Sequence, residues 1–211
     1  MTARPIREPD SRLRLIEGRH NALVKELRAA FAHGEPTADG YVAFEGWKIL
    51  EEAIRSGVRF RAVFFSDAGQ ERTHKLLDQI GHQVETVLLP AQLFDATVST
   101  DNPQGVAGLG KWQSYSLPDI LQRAAAGPLL ALAGVQDPGN LGTILRSAEA
   151  FGAGGILLGE NTVSVSNPKL IRASAGSVFR VPSVRVNLAE VVPQLRSEGI
   201  RTLATSSHKG T

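Results

Sequence analysis

The stretch Gly134-Val135-Gln136-Asp137-Pro138-Gly139-Asn140-Leu141-Gly142-Thr143-Ile144-Leu145-Arg146 decides the fold. It closes the continuous apolar run Leu129 to Val135, which has the length and composition of a buried strand. A tight Asp-Pro-Gly turn follows, and Asn140 stands where the N-cap of a helix over Leu141 to Phe151 is expected. Leu141, Ile144, Leu145 and Ala148 recur at i, i+3, i+4 and i+7, so they face the sheet and leave Asn140, Thr143, Arg146 and Ser147 on the open flank. At about 1.5 Å of rise per residue, Arg146 lies roughly 9 Å along the axis from Asn140. In an open parallel sheet, ligands bind beyond the carboxyl ends of the strands, so this polar cap and this cation flank a candidate site. The segment lacks the spaced glycines of a dinucleotide fingerprint and the Gly-Lys-Ser/Thr ending of a phosphate loop. An ordinary capped helix with a solvated Arg146, paired to Glu149 at i+3, fits the same pattern.

Working outward, apolar strands alternate with helices. Downstream, the patterning predicts strands at Gly155 to Leu158, Val181 to Val186 and Arg201 to Ala204, with helices at Pro168 to Ala175 and Leu188 to Ser197. This is the signature of a parallel sheet covered on both faces. Upstream, Leu23, Leu27 and Phe31 form the stripe of a helix beginning after Asn21. Short strands are expected at Tyr41 to Phe44, Phe60 to Phe65, Val84 to Leu89 and Gly105 to Leu109. Helices are expected at Trp47 to Arg55, Glu71 to Ile80 and Ala91 to Val98. The 211 residues therefore divide into a flexible lead-in over 1–18, an α/β unit over 19–110, a linker over 111–128 that carries a short helical pattern and Pro118, and a second α/β unit over 129–211.

The hydrophobic fraction of 42% and charged fraction of 21% are ordinary globular values. With no cysteine, disulfide frameworks, thiolate metal sites and cysteine nucleophiles are excluded. His20, His33, His74, His82 and His208 show no ligand spacing, and no metal is expected. The longest apolar run is far short of the roughly 20 residues that span a bilayer, and a signal-peptide core is lacking, so a soluble, untargeted, cytoplasmic protein is expected. The net charge of +2 is small, but the first 28 residues carry an excess of three positive charges. Between Glu160 and Glu190 stand Lys169, Arg172, Arg180 and Arg185 with no acid. Two such stretches suggest an anionic polymer as partner, although charge runs are also commonly just solvated faces.

A second segment, Asn167-Pro168-Lys169-Leu170-Ile171-Arg172-Ala173-Ser174-Ala175-Gly176, offers an N-cap, a proline at the first helical position, and two cations one turn apart, apt for phosphates. Its small residues allow close approach of another backbone, from a neighbouring element or a second subunit.

Together the two segments resemble the SpoU (TrmH) family of RNA ribose 2′-O-methyltransferases, within the knotted SPOUT superfamily. Asp137 to Gly152 is similar to the family's first motif at its Asn, Arg and terminal Phe-Gly positions, and Asn167 to Gly176 to the following Asn-Pro-Lys, Arg-Ala-Ser, Gly pattern. His20-Asn21, Phe44-Glu45-Gly46 and Pro103-Gln104-Gly105 resemble the family's N-terminal substrate-binding domain, itself similar to a small ribosomal-protein fold. The resemblance runs from about Ile16 to the end of the chain.

That resemblance implies methyl transfer from S-adenosylmethionine to a ribose 2′-hydroxyl in rRNA or tRNA, with rRNA the favoured partner, and a homodimer for the full-length family member. It implies Arg146 and Asn140 as catalytic residues, Asn21, Lys25, Glu45, Gly46, Lys169, Arg172 and Ser174 as RNA-binding residues, and Ala204 and Thr205 as the first cofactor contacts. A guanidinium has a pKa above about 12 and no acceptor when protonated. The role expected for Arg146 is therefore to hold the adjacent phosphate bidentately and orient the 2′-oxygen. The family's later Gly-x-Glu-x-x-Gly, Ile-Pro-Met and Ser-Leu-Asn segments, which form the knot and most of the cofactor pocket, are not found in these residues, so the knot is expected to be missing. A non-catalytic RNA-binding protein, or an inactive truncated product of a methyltransferase gene, is the alternative. An α/β enzyme for a small phosphorylated ligand would explain neither the basic stretch nor the paired units.

Overall fold

The computed structural model describes residues 12–98, 100, 102–124 and 127–205. Strand β3, Phe60–Ser66, shows how the sequence makes the first layer. Its side chains alternate, Ala62 and Phe64 joining one core and Val63 and Phe65 the other, so the strand is buried on both faces. Around it lie β1 (Leu13–Leu15), β4 (Glu85–Leu89), β5 (Val106–Lys111) and β2 (Tyr41–Glu45), in the order β1-β4-β3-β5-β2. The β1–β4 and β4–β3 pairs are parallel, whereas β3–β5 and β5–β2 are antiparallel. Helices α1 (Ala22–His33) and α4 (Ala91–Val98) bury Leu23, Val24, Leu27, Phe94 and Val98 against one face. Helices α2 (Trp47–Arg55) and α3 (Gln70–Leu77) cover the other through Trp47, Leu50, Leu76 and Leu77.

The second unit is a three-stranded parallel sheet, β6 (Leu129–Leu132), β7 (Gly155–Leu158) and β8 (Ser183–Arg185), in sequential order among the described residues. Strand β7 alternates as β3 does. Ile156 and Leu158 face α6 (Pro138–Ala150) and α7 (Pro168–Ala173), while Leu157 faces α5 (Leu117–Gln122) and α8 (Leu188–Ser197). The two units are not separate globules: Leu141, Leu145, Leu170 and Ile171 share one hydrophobic core with Val42, Phe44, Trp47 and Leu50 of the first. No helix among the described residues is long and apolar enough to cross a membrane.

Two local expectations are corrected. Of the expected lead-in, residues 1–11 lie outside the described residues, but Leu13–Leu15 form β1, recruited by β4 more than 70 positions away rather than by any local pattern. The short helical pattern of the bridging segment forms α5, whose Ile120 is fully buried under the second sheet. The strand expected at Arg201 to Ala204 does not form: residues 201–205 are neither helix nor strand, and Leu203 is 78% exposed. A period-2 pattern becomes a strand only where a sheet edge takes up its hydrogen bonds. Residues 206–211 at the chain's end lie outside the described residues.

Candidate functional site

Helix α6 begins three residues earlier than expected. Asp137, not Asn140, is the N-cap, its carboxylate Oδ1 accepting from the Asn140 backbone N–H at 2.7 Å, with Pro138 at the first helical position. An aspartate directly before a helix-starting proline satisfies the cap and pre-sets the first φ, so it wins over Asn140. The consequence is chemical: the Asn140 side chain is released from capping and stands exposed in the first turn. Leu141, Leu145 and Ala148 are buried, and Asn140, Thr143, Arg146 and Ser147 are all exposed on the open flank. Arg146 has no ion pair or hydrogen bond among the described residues. Glu149, the partner open to it at i+3, is taken instead by Arg180.

Helix α7 packs very closely against the buried side of α6. A Cβ on Gly142 of α6 would lie 2.6 Å from the Cβ of Ala173 and 2.8 Å from its carbonyl carbon, so only glycine permits the approach. The small residues after Arg172 thus serve neighbouring elements of this chain. Ser174 is fully buried and donates its hydroxyl to the Ile171 carbonyl at 2.8 Å, so it is not available to RNA in this structure.

The three short upstream motifs have different fates. Asn21 caps α1, its side chain accepting from the Leu23 N–H at 3.0 Å, and Lys25 is exposed one turn further on. Glu45-Gly46 and Pro103-Gln104-Gly105 come together. Glu45 Oε1 accepts the Gln104 N–H at 2.6 Å, and the Trp47 indole N–H donates to the Gln104 carbonyl at 2.7 Å. Gly46 has φ 108°, and a Cβ there would lie 3.0 Å from Gln104 Oε1. Arg172 reaches the same carboxylate from α7. Glu45 is 2% exposed, so it lies beneath the surface expected to meet RNA. Burial pushes its carboxyl pKa up, while the Gln104 N–H and the Arg172 charge pull in the opposite direction. Above this knot of bonds opens a cleft of about 820 Å³ lined by Gly46, Lys48, Arg72, Gln104 and Arg172.

The basic stretch is largely neutralised within the fold. Arg172 pairs with Glu45, Arg180 with Glu149 and Glu52, and Arg185 donates to the Gly159 and Thr162 carbonyls. Among the described residues, Lys169 alone of the four cations has a side chain with neither an ion pair nor a hydrogen bond. The Arg180 clamp was not legible in the sequence, because its acids lie 31 and 128 positions away. It holds Glu149 bidentately while its Nη1 reaches Glu52 at 2.9 Å and the Ser56 hydroxyl at 3.0 Å, tying α6 to α2. Ala204 and Thr205 are exposed and in no regular element, and do not by themselves enclose a cofactor.

A mixed α/β chain with a three-stranded parallel sheet, an unpartnered arginine and a freed asparagine exposed on one helix, and a second unit docked on the same core has the form of a SPOUT-type RNA methyltransferase. Comparison with known proteins makes the assignment specific. Residues 128–211 match the model of the SpoU rRNA methylase family, and residues 21–108 that of the MRM3-like substrate binding domain. A tRNA/rRNA methyltransferase of Synechocystis, described as uncharacterized, is 34% identical over 193 residues, 90% of this chain and 69% of that protein. The 23S rRNA (guanosine(2553)-2′-O)-methyltransferase RlmP of Bacillus subtilis is 29% identical over 198 residues, 94% of this chain and 75% of the relative. The solved structure of an AdoMet-bound rRNA methyltransferase from Sinorhizobium meliloti superposes with a TM-score of 0.71 at 25% identity, over 89% of this chain and 70% of that one. The chain belongs to the SpoU rRNA methylase family.

Proposed function

We propose that this chain methylates a ribose 2′-hydroxyl of RNA, with Arg146 and Asn140 at the reacting ribose. The methyl donor is S-adenosylmethionine, the cofactor bound in solved relatives; when bound, its sulfonium supplies an activated methyl group. The observation that carries the assignment is the unpartnered Arg146 on the same exposed flank as Asn140, whose amide the Asp137 cap sets free. A structural arginine on this helix would have taken Glu149. Arg146 presents five fixed donors and no acceptor, so it grips a phosphate and orients the neighbouring ribose without accepting a proton. Asn140 offers an amide carbonyl, which accepts a hydrogen bond from a hydroxyl and orients its oxygen. Residues 19–110 are the RNA substrate-binding unit and residues 129–211 belong to the methyltransferase unit, with Lys25 and Lys169 as cations open to phosphate. The substrate is rRNA rather than tRNA, a choice supported by the rRNA named for RlmP and for the matching family.

The test is transfer of labelled methyl from S-adenosylmethionine to ribosomal RNA transcripts, with the product mapped as a ribose methylation. Arg146→Ala is expected to reduce turnover by at least about 100-fold, the scale of a lost transition-state contact, with RNA affinity within a few-fold of wild type. Full turnover by Arg146→Ala would refute the assignment.

A further inference from the structure

We propose that a cleft at the seam between the two units, away from the Arg146 flank, holds an unpaired RNA nucleobase by stacking. The cleft has a volume of about 470 Å³, within the range of roughly 300–1,000 Å³ for small-ligand sites. Its walls come from both units: Arg59 before β3, Lys111 at the end of β5 with Trp112 to Tyr115 after it, and Phe179 in the turn following α7. Trp112 packs edge-on against Phe179 at 6.5 Å between ring centroids, and Phe179 packs in turn on the buried Phe44 at 5.1 Å. Trp112 and Phe179 are thus anchored in the shared core, while Tyr115 packs on the second unit's other cluster with the Arg123 guanidinium 5.8 Å over its ring, and all three remain partly exposed to the cleft.

Three features select the occupant. Rings half-open to water offer π-faces that stack on any base, which is how single-stranded nucleic acid is held without sequence preference. The charged residues lining the cleft are Arg59 and Lys111, with no acid, so the field suits a polyanion. Lys111 is held by the Asp39 carbonyl and lies 5.2 Å over the Tyr41 ring, whereas the exposed Arg59 guanidinium has no partner among the described residues and is free for phosphate. Gln113 supplies an exposed amide able to meet a base edge as donor or acceptor. Inside a duplex both faces of every base are already stacked on neighbours, so the site selects unpaired nucleotides.

This inference rests on the RNA reading above, and its test separates the two. Tryptophan emission of the full chain is followed during titration with a short oligoadenylate and with a blunt RNA duplex. Oligoadenylate is expected to quench wild-type emission, and Trp112→Phe, which keeps a ring in the seam, to abolish the quenching. Tyr115→Ala and Arg59→Ala are each expected to weaken oligoadenylate binding about 10-fold, the scale of one lost stacking or charge contact, while duplex binding changes by less than about two-fold. Oligoadenylate affinity unchanged in Tyr115→Ala and Arg59→Ala, or quenching retained in Trp112→Phe, with wild-type RNA binding intact, overturns the stacking cleft alone. Failure of the wild-type chain to bind either RNA overturns the RNA reading and this inference with it.

Discussion

The Arg172 guanidinium reaches from α7 to Glu45 at the end of β2, its Nη1 3.4 Å from Oε2. The carboxylate is 1% exposed and the arginine side chain 35%, so the pair has a dry end and a wet end. It crosses the seam between the units and shares its acid with the Gln104 N–H, tying three sequence motifs into one bonded group.

Burial raises the Glu45 pKa above its ordinary 4.5, so the folded chain takes up this proton more readily than the unfolded one. Its stabilising contribution is therefore complete below the unfolded value and declines as pH rises through the raised one. Glu45→Gln mimics the protonated form and removes that titration. Urea unfolding across the weakly acidic range should give a wild-type stability, relative to Glu45→Gln, that falls as pH rises. A difference independent of pH would mean that Glu45 does not titrate in the fold as its burial requires.

The Arg180 clamp has the opposite sign. Its hydrogen bonds hold the Glu149 carboxyl below the ordinary range, so the stability from this bond is present above the unfolded pKa and is lost as pH falls through the lowered one. About a third of both side chains is exposed, which limits the pair to about 1 kcal/mol after solvent screening. Arg180→Gln is expected to lower stability at neutral pH by about that amount, and the deficit should shrink in acid when thermal unfolding is compared at both pH values.

What was legible in the sequence was whatever is decided within one or two turns of chain. The stripe of Leu141, Leu145 and Ala148 gave the face of α6, and local apolar periodicity gave the bounds of α2, α4 and α8 as they stand. Asp137 caps α6 in place of Asn140 because Pro138 opens the helix, so the residues read as an Asp-Pro-Gly turn are its first turn. Pairing at a distance left no local trace. The short strand β1 exists because β4 receives it, and a run with four cations and no acid looked open to a polyanion because Glu45, Glu52 and Glu149 are brought to it only by folding. The aromatic seam joins Trp112 to Phe179, residues that no periodicity connects.

Gly142 sets the separation of α6 from α7. Alanine is the better helix former by about 1 kcal/mol, but its methyl group would meet Ala173 at 2.6–2.8 Å, partly against backbone. Overpacking of this kind costs about 1–3 kcal/mol, so Gly142→Ala is expected to be net destabilising by up to about 2 kcal/mol. A lower denaturation midpoint at unchanged m-value would register it. Because Arg146 rides on the same helix, turnover in Gly142→Ala should fall more than RNA affinity does.

The cations between Glu160 and Glu190 should not contribute equally to RNA binding. Each phosphate contact releases counterions and adds about 0.7 to 0.9 to the slope of log affinity against log salt. Lys169 is exposed and its ammonium has no partner among the described residues, so Lys169→Ala should weaken binding and reduce that slope by about one. Arg172 is already compensated by Glu45, and Arg172→Ala should leave the slope nearly unchanged. It should instead destabilise the chain by about 1–3 kcal/mol, a buried-pair loss discounted for the exposed arginine. Binding measured across a salt series, beside unfolding of both variants, separates the roles. A slope change in Arg172→Ala as large as in Lys169→Ala would mean that RNA draws Arg172 away from Glu45 and that the seam opens on binding.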